Sequence, residues 1–158
     1  AMAMKNGEVL PAIIALGYPI AQKPHLLDSV FRTIAKSRTR KTWDQIFFNE
    51  NFLTPLVETE IEPLTEAFEM LRLAPSASNK QPWRLLKRGN KIHFYIYRPL
   101  QKNKKVPFYN MPYVDLGIGM AHFELTSKEL GLTGTWDIEE PVISDLPREM
   151  TYVTTWLF

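Results

Sequence analysis

The sequence predicts an α+β fold in which a mostly antiparallel sheet is flanked by helices. Residues 60–74 and 115–130 carry apolar side chains at the three- and four-residue spacing of helices that bury one face. Residues 83–98 contain two extended segments on either side of a Gly-Asn pair, a pattern typical of a β-hairpin. Residues 151–158 are rich in β-branched and aromatic side chains, which favours a terminal strand.

Composition indicates an ordinary globular protein. The 158 residues are 45% apolar and 23% charged, which is enough apolar material for a core and argues against disorder. The net charge of +2 gives no reason to expect nucleic acid as a partner. No apolar run approaches the roughly 20 residues of a membrane span, so no membrane partner is predicted and the cytoplasm is the expected location. The absence of cysteine excludes disulfides and thiol catalysis.

The first part of the chain contains weaker signals. Residues 1–4 look like the remnant of an expression tag, because no cleavable apolar segment with a basic lead is present. Residues 8–18 suit a buried strand, and residues 26–36 are a weakly amphipathic helix candidate. The run KSRTRK at residues 36–41 is basic, and a solvated loop is the usual explanation of such a run. An apolar cluster at residues 43–48 predicts one helical turn.

The helix predicted over residues 60–74 ends at a polar loop. Thr59 and Glu62 have the spacing of a capping box, and Pro63 is tolerated in a helix only in its first turn. The helix should therefore begin within a few residues of Pro63. Pro75 ends the helix, because proline disfavours helical geometry at the residue before it.

The hairpin that follows has an alternating second arm. Ile92, Phe94 and Ile96 occupy one face, and His93, Tyr95 and Tyr97 the other. The alternation places His93 on the strand surface rather than in a catalytic role.

The helix predicted over residues 115–130 has a plausible cap at each end, Asp115 at its start and Gly131 just past its last turn. Gly117 and Gly119 are costly inside a helix, which indicates tight packing or a nearby ligand. Residues 132–138 then predict a turn into a strand.

The loop within residues 71–85 is the clearest candidate binding site. Its short polar side chains can offer hydroxyls and amides to a flat polar ligand, beside the apolar wall of Trp83. The alternative is an ordinary connection between a helix and a strand. No acid–base–nucleophile set and no metal-binding motif occurs, so neither catalytic nor metal-ligating residues are predicted.

Residues 74–83, APSASNKQPW, resemble the APS-x-x-N-x-QPW signature of the nitroreductase-like flavoproteins, which bind FMN. Three further segments resemble parts of that family. Residues 113–136 are similar to its central helix and the turn that follows, residues 8–19 to its late strand, and residues 36–44 to its basic carboxyl-terminal segment.

The resemblance implies an FMN-dependent NAD(P)H oxidoreductase of nitroreductase type. Hydride would pass from NAD(P)H through the flavin to a small-molecule acceptor such as a nitro compound or quinone. The resemblance places Pro75, Ser76, Ser78 and Asn79 against the flavin ring and ribityl chain, with Gln81 adjacent. Arg38, Arg40 and Lys41 are the phosphate candidates, and the sequence does not choose among the three. The alternatives are a non-catalytic FMN-binding or structural half-domain, or another flavin-dependent reaction such as reductive dehalogenation.

The order of the similar segments predicts a fragment. In a single nitroreductase-like unit the late strand and basic tail follow the central helix, whereas here they precede it. This order resembles the branch in which two such halves are fused. Residues 5–59 would then be the end of a first half with a connecting arm, and residues 60–158 a whole second half. A missing amino-terminal half or a second chain would be needed to complete the flavin site.

Overall fold

The computed structural model describes residues 16–18, 39–98 and 110–158. The helix predicted over residues 26–36 and most of the strand predicted over residues 8–18 lie outside these ranges.

A mixed sheet of five strands forms the centre of the described structure. The strands are β1 (Phe47–Asn49), β2 (Trp83–Arg88), β3 (Lys91–Tyr97), β4 (Thr135–Asp137) and β5 (Met150–Leu157). They lie side by side in the order β1-β2-β3-β5-β4. Only the β1–β2 pairing is parallel, and the other three pairings are antiparallel. The prediction of an α+β fold with a mostly antiparallel sheet is therefore confirmed.

The hairpin of β2 and β3 forms as the sequence predicts. Arg88 pairs with Lys91, which leaves Gly89 and Asn90 as the two-residue turn. Gly89 has a φ of 57°, a left-handed conformation that glycine adopts without a steric penalty.

Two α-helices lie among the described residues. The first begins within a few residues of Pro63, as predicted, and the second begins before the predicted cap Asp115. Helix α1 is Thr65–Leu73 and helix α2 is Met111–Glu129. Helix α1 starts after Pro63, so the capping box expected from Thr59 does not form there, although Ile61 and Leu64 are buried as predicted. Neither helix is long and apolar enough to cross a membrane.

Aromatic side chains fill the core between the sheet and the two helices. The Phe68 ring of α1 lies 4.9 Å from Phe47 of β1 and 5.6 Å from Phe123 of α2, and Phe123 lies 5.5 Å from Phe94 of β3. A Cβ on Gly119 would lie only 3.4 Å from the Leu71 side chain, so this glycine allows α2 to approach α1 closely. The aromatic residues of this layer are thus core residues.

The opposite face of the sheet is also covered, which corrects the expectation for His93. Only 2% of His93 is exposed, and its Nδ1 lies 2.8 Å from Thr155 Oγ1 on β5. Tyr95 is fully buried, and its ring contacts Phe52 at 5.0 Å and Tyr152 at 5.6 Å between centroids. Alternation correctly assigned these residues to the second face, but that face is a second packed layer rather than a solvated surface.

Candidate functional site

The connection between α1 and β2 has an unusual backbone. Ser78, Asn79 and Gln81 have φ values of 51°, 53° and 47°, in the left-handed region that non-glycine residues rarely adopt. Backbone strain of this kind persists only where surrounding contacts hold it, and it is concentrated at binding and catalytic sites. The conformation is therefore one that the protein specifically maintains.

Side chains of the loop hold this conformation from inside. The Gln81 backbone N–H donates to Ser76 Oγ at 2.8 Å. The Gln81 side-chain amide donates to both the backbone oxygen and Oδ1 of Asn79, each at 3.1 Å. Three of the predicted flavin-binding residues thus contact one another and shape the loop.

The basic segment lies directly against this loop, although about forty residues separate the two in the sequence. The backbone N–H of Lys41 donates to Gln81 Oε1 at 2.7 Å, and Arg40 Nη1 donates to Asn79 Oδ1 at 3.3 Å. Arg40 also binds the backbone oxygen of Leu73 at the end of α1 through Nε, at 3.0 Å. The structure therefore brings Arg40 and Lys41 to the loop, while Arg38 lies outside the described residues.

Two predicted residues face outward. Pro75 and Ser78 are exposed, and the Ser78 hydroxyl makes no hydrogen bond to any described residue. Ser78 can therefore offer a donor and an acceptor to a ligand without first breaking a contact within the protein.

Asp115 has a different role from the helix cap that the sequence predicts. Helix α2 begins at Met111 with Asn110 as its N-cap, which places Asp115 inside the helix and 97% buried. Its Oδ1 accepts a hydrogen bond from the backbone N–H of Ala77 at 2.8 Å. Burial raises the pKa of the carboxyl, and the Ala77 bond opposes that shift. Asp115 thus fastens the candidate loop to α2.

Arg84 is a candidate functional residue that sequence reasoning missed. It lies near the start of β2 with 6% of its surface exposed, and its Nη1 donates to the backbone oxygens of Trp83 at 2.6 Å and Gln81 at 3.2 Å. Its guanidinium carbon lies 5.0 Å from the centre of the Tyr97 ring. Burial lowers the pKa of Arg84 to about 10. Because WRLLKR reads as a strand with ordinary surface cations, nothing in the sequence marks this arginine as buried.

Two cations near the loop have no acidic partner among the described residues. No carboxylate forms an ion pair with either Arg84 or Lys41. The pKa of Lys41 is lowered, first by burial and then by the positive charge of Arg84. Arg84 and Lys41 therefore suit a ligand that carries an anionic group.

A separate cavity lies beside Thr42, which directly follows the basic segment. It has a volume of about 660 Å³ and contains none of the predicted flavin-binding residues. Its lining residues are Thr42, Trp43, Glu58, Thr65, Glu66, Glu69 and Arg72. Within the candidate loop, Pro75 and Ser78 are exposed and Gln81 is buried. No cluster of three or more metal-ligating side chains occurs in residues 16–18, 39–98 and 110–158.

Comparison with solved structures found a protein from Thermotoga maritima whose crystal structure is described as that of a "putative nitroreductase". The two sequences are 25% identical, and the TM-score is 0.46. The match covers 75% of the present chain and 41% of the other, so the present chain spans less than half of that protein's length. No curated protein matches the sequence.

A family model described as "Putative TM nitroreductase" matches residues 1–127, which is most of the chain. The match includes the polar loop, the basic segment and most of α2. It therefore confirms the resemblance that the sequence motifs indicated, and the chain belongs to this nitroreductase family.

Proposed function

We propose that this chain provides part of the FMN site of an NAD(P)H-dependent oxidoreductase of nitroreductase type. Membership of the family supports an oxidoreductase in general terms. The observation that carries the finer proposal is the contact of Arg40 and Lys41 with Asn79 and Gln81. Two segments that each resemble a flavin-binding element of the family thus meet in space.

The residues of the site suit the parts of FMN. The outward-facing hydroxyl of Ser78 can hydrogen-bond to the ribityl chain or the ring edge, and Pro75 can pack against the apolar part of the ring. Asn79 and Gln81 would act mainly by fixing the loop, because their side chains are already bonded within the site. Lys41 provides positive charge where a phosphate or a reduced flavin needs it.

The chemistry would come from the flavin, which accepts hydride from NAD(P)H and passes electrons to an acceptor. The described residues contribute binding, orientation and electrostatics. No general acid is assigned, because solvent can provide the proton. The acceptor would be a nitro compound, a quinone or a similar small molecule.

The flavin site would be completed by a missing amino-terminal half or by a second chain. Pro75 and Ser78 of the candidate loop are exposed, whereas cofactor sites usually enclose most of their ligand. The chain also spans only 41% of the Thermotoga maritima protein. Cytoplasmic location and the division into residues 5–59 and 60–158 stay predictions from sequence.

The test is to purify the full-length protein and examine its visible absorbance. We expect flavin bands that bleach when NADPH or NADH is added without oxygen and return when a nitro compound or quinone is added. A full-length protein that neither copurifies with FMN nor binds added FMN would contradict the proposal.

A non-catalytic structural half is the second candidate, and one observation favours it. Ser76, Asn79 and Gln81 make hydrogen bonds within the loop and to the basic segment, which a purely structural loop would also do. Ser78→Ala in the full-length protein separates the two, because the Ser78 hydroxyl makes no hydrogen bond to any described residue. Weaker FMN binding with unchanged thermal stability supports the flavin site, and unchanged FMN binding in both Ser78→Ala and Asn79→Ala supports the structural role.

A further inference from the structure

Arg84 is a buried charge without a counter-charge among the described residues. It is 94% buried, and no carboxylate pairs with it. Removing a charged group from water costs several kcal/mol unless a partner compensates for the lost hydration. Two backbone carbonyls and the face of Tyr97 compensate in part. An anion is the partner that would compensate for the remainder.

The hydrogen-bonding edge of Arg84 that best fits an anion is unused. Both of its hydrogen bonds leave from Nη1. The Nε and Nη2 atoms of Arg84 donate no hydrogen bond to a described residue. Neither atom is completely buried. These two nitrogens form the edge of a guanidinium that binds two oxygens of a phosphate or carboxylate at once.

Lys41 adds a second cation, and the positive charge of Arg84 contributes to lowering its pKa. Gln81 joins the two residues, because its side-chain oxygen accepts from the Lys41 backbone and its backbone oxygen accepts from Arg84. Lys41 Nζ makes no hydrogen bond or ion pair with a described residue. Two adjacent cations repel each other, so the fold retains both at a cost that a shared anion would remove.

Arg40 is less suited to this role, although the resemblance includes it among the phosphate candidates. Its guanidinium binds the backbone oxygens of Leu73 and Thr39 and the side chain of Asn79. A phosphate at Arg40 would have to compete with these contacts, which connect the basic segment to α1 and the loop.

We propose that Arg84 and Lys41 together bind the phosphate group of a ligand, which under the proposed function is the FMN phosphate. The inference rests on the proposed function for the identity of the ligand. It assigns Arg84, which lies on a strand outside both family motifs, as the bidentate partner and Lys41 as the second charge. Arg40 then has a supporting role in holding the loop.

The experiment compares FMN with riboflavin, which lacks the phosphate. Binding of each flavin to the full-length protein is measured by fluorescence quenching for the wild type, Arg84→Gln, Lys41→Gln and Arg88→Gln. Arg88 is the matched control, because it lies on the same strand and its exposed side chain already pairs with Glu50. We expect Arg84→Gln to weaken FMN binding by about 10- to 100-fold and to leave riboflavin binding unchanged. Lys41→Gln should act in the same direction and more weakly, and Arg88→Gln should change neither.

Lys41→Gln keeps the assay decisive if Arg84→Gln does not fold, because it leaves the backbone bond from Lys41 to Gln81 in place. Equal weakening of FMN and riboflavin would show that the residues contact the flavin elsewhere or only support the fold, and would overturn the proposal. Unchanged FMN binding in a folded variant would overturn it as well.

Failure of the proposed function gives a different result. If the wild type binds neither flavin, FMN is not the ligand, and binding of inorganic phosphate decides the remaining question. Phosphate binding that is lost in Arg84→Gln would support the phosphate site with another phosphorylated ligand as its source. The absence of phosphate binding would overturn the site itself.

Discussion

Asp115 shows how one buried side chain connects the candidate loop to the body of the fold. Its carboxylate accepts the Ala77 N–H from within α2. Asp115→Ala would leave that N–H without its partner, so we expect a loss of about 1–3 kcal/mol in the free energy of unfolding. Asp115→Asn keeps an acceptor oxygen and removes the charge, which makes it the matched control. Urea unfolding at pH 7 measures both, and equal losses in the two variants would contradict this role.

Because the pKa of Asp115 is raised, the difference in stability between Asp115→Asn and the wild type should depend on pH. A carboxyl whose folded-state pKa lies above its ordinary value near 3.8 favours folding while it is protonated. This contribution is complete below the unfolded-state pKa and is lost as pH rises through the folded-state pKa. The stability of Asp115→Asn relative to the wild type should therefore be greater at pH 7 than at pH 4. A relative stability that falls between pH 4 and pH 7 would be inconsistent with the shift.

His93 provides a second contribution to the pH dependence of the unfolding free energy. Burial, with the positive charge of Arg88 adding to it, lowers the His93 pKa to about 4. Between pH 6.5 and pH 4 the unfolded chain binds a proton that the folded chain does not, so stability falls as pH falls through this window. The full loss is about 3 kcal/mol. His93→Gln cannot gain this proton, so its unfolding free energy should vary less with pH over the window. An identical pH dependence in the two proteins would exclude His93 as its source.

For individual residues, the sequence identifies candidates but does not predict their surroundings. Asp115 is a residue type typical of helix N-caps, but α2 begins earlier, so Asp115 lies inside the helix as a buried hydrogen-bond acceptor. His93 alternates with core residues, yet Tyr95 and its contacts with Phe52 and Tyr152 turn the second face into a packed layer. Arg84 is a surface cation by its strand pattern and is buried only because of tertiary packing. In all three residues, burial depends on contacts with segments far away in the sequence.

Among the secondary-structure elements, β4 depends on a glycine that precedes it. A Cβ on Gly134 would overlap the indole ring of Trp156 on β5. Gly134→Ala should therefore push β4 away from β5 and cost about 1–3 kcal/mol. Gly117→Ala is the control, because a Cβ there meets no atom within 4 Å and alanine is favoured by about 1 kcal/mol inside a helix. In thermal unfolding, the midpoint temperature should fall for Gly134→Ala and rise for Gly117→Ala. A Gly134→Ala variant as stable as the wild type would contradict the close packing of Gly134 against Trp156.

The connection between the basic segment and the candidate loop can be measured at one amide. Gln81→Ala removes the oxygen that accepts from the Lys41 N–H. We expect hydrogen exchange at the Lys41 amide to accelerate at least several-fold, because exchange follows local opening. Asn51→Ala, which removes the acceptor for Leu53 and Thr54 in a separate turn, serves as the control. Unchanged Lys41 exchange in Gln81→Ala would show that other contacts hold the segment.

Elements defined by local signals are the ones that the sequence predicts well. The β2–β3 hairpin follows from a glycine turn and short-range alternation, and both were recognisable. The sequence places the start of α1 only to within a few residues of Pro63, because Ile61 and Leu64 are core residues in a non-helical segment and still match helical spacing. Apolar spacing reports burial, and burial alone does not determine where a helix begins.

For the whole molecule, the candidate site joins segments that lie far apart in the chain. Lys41, Gln81, Arg84 and Asp115 belong to the basic segment, the loop, β2 and α2, and hydrogen bonds link them through the loop. Family motifs predicted the loop and the basic segment, since their residue types are specific. The meeting of the two could be expected only from the resemblance, because no sequence rule places residue 40 beside residue 80.

Under the proposed function, a further part of the protein would enclose the flavin. Within the described structure Pro75 and Ser78 of the loop are exposed, so we expect this 158-residue chain to bind FMN at least tenfold more weakly than the full-length protein. If an amino-terminal half of the same chain encloses the flavin, FMN affinity of the full-length protein is independent of protein concentration. If a second chain encloses it, affinity rises with concentration as dimers form. Flavin fluorescence titrations at several protein concentrations, with sedimentation to follow assembly, separate the two. Equal affinity in the short chain and the full-length protein would mean that the described loop needs no further partner.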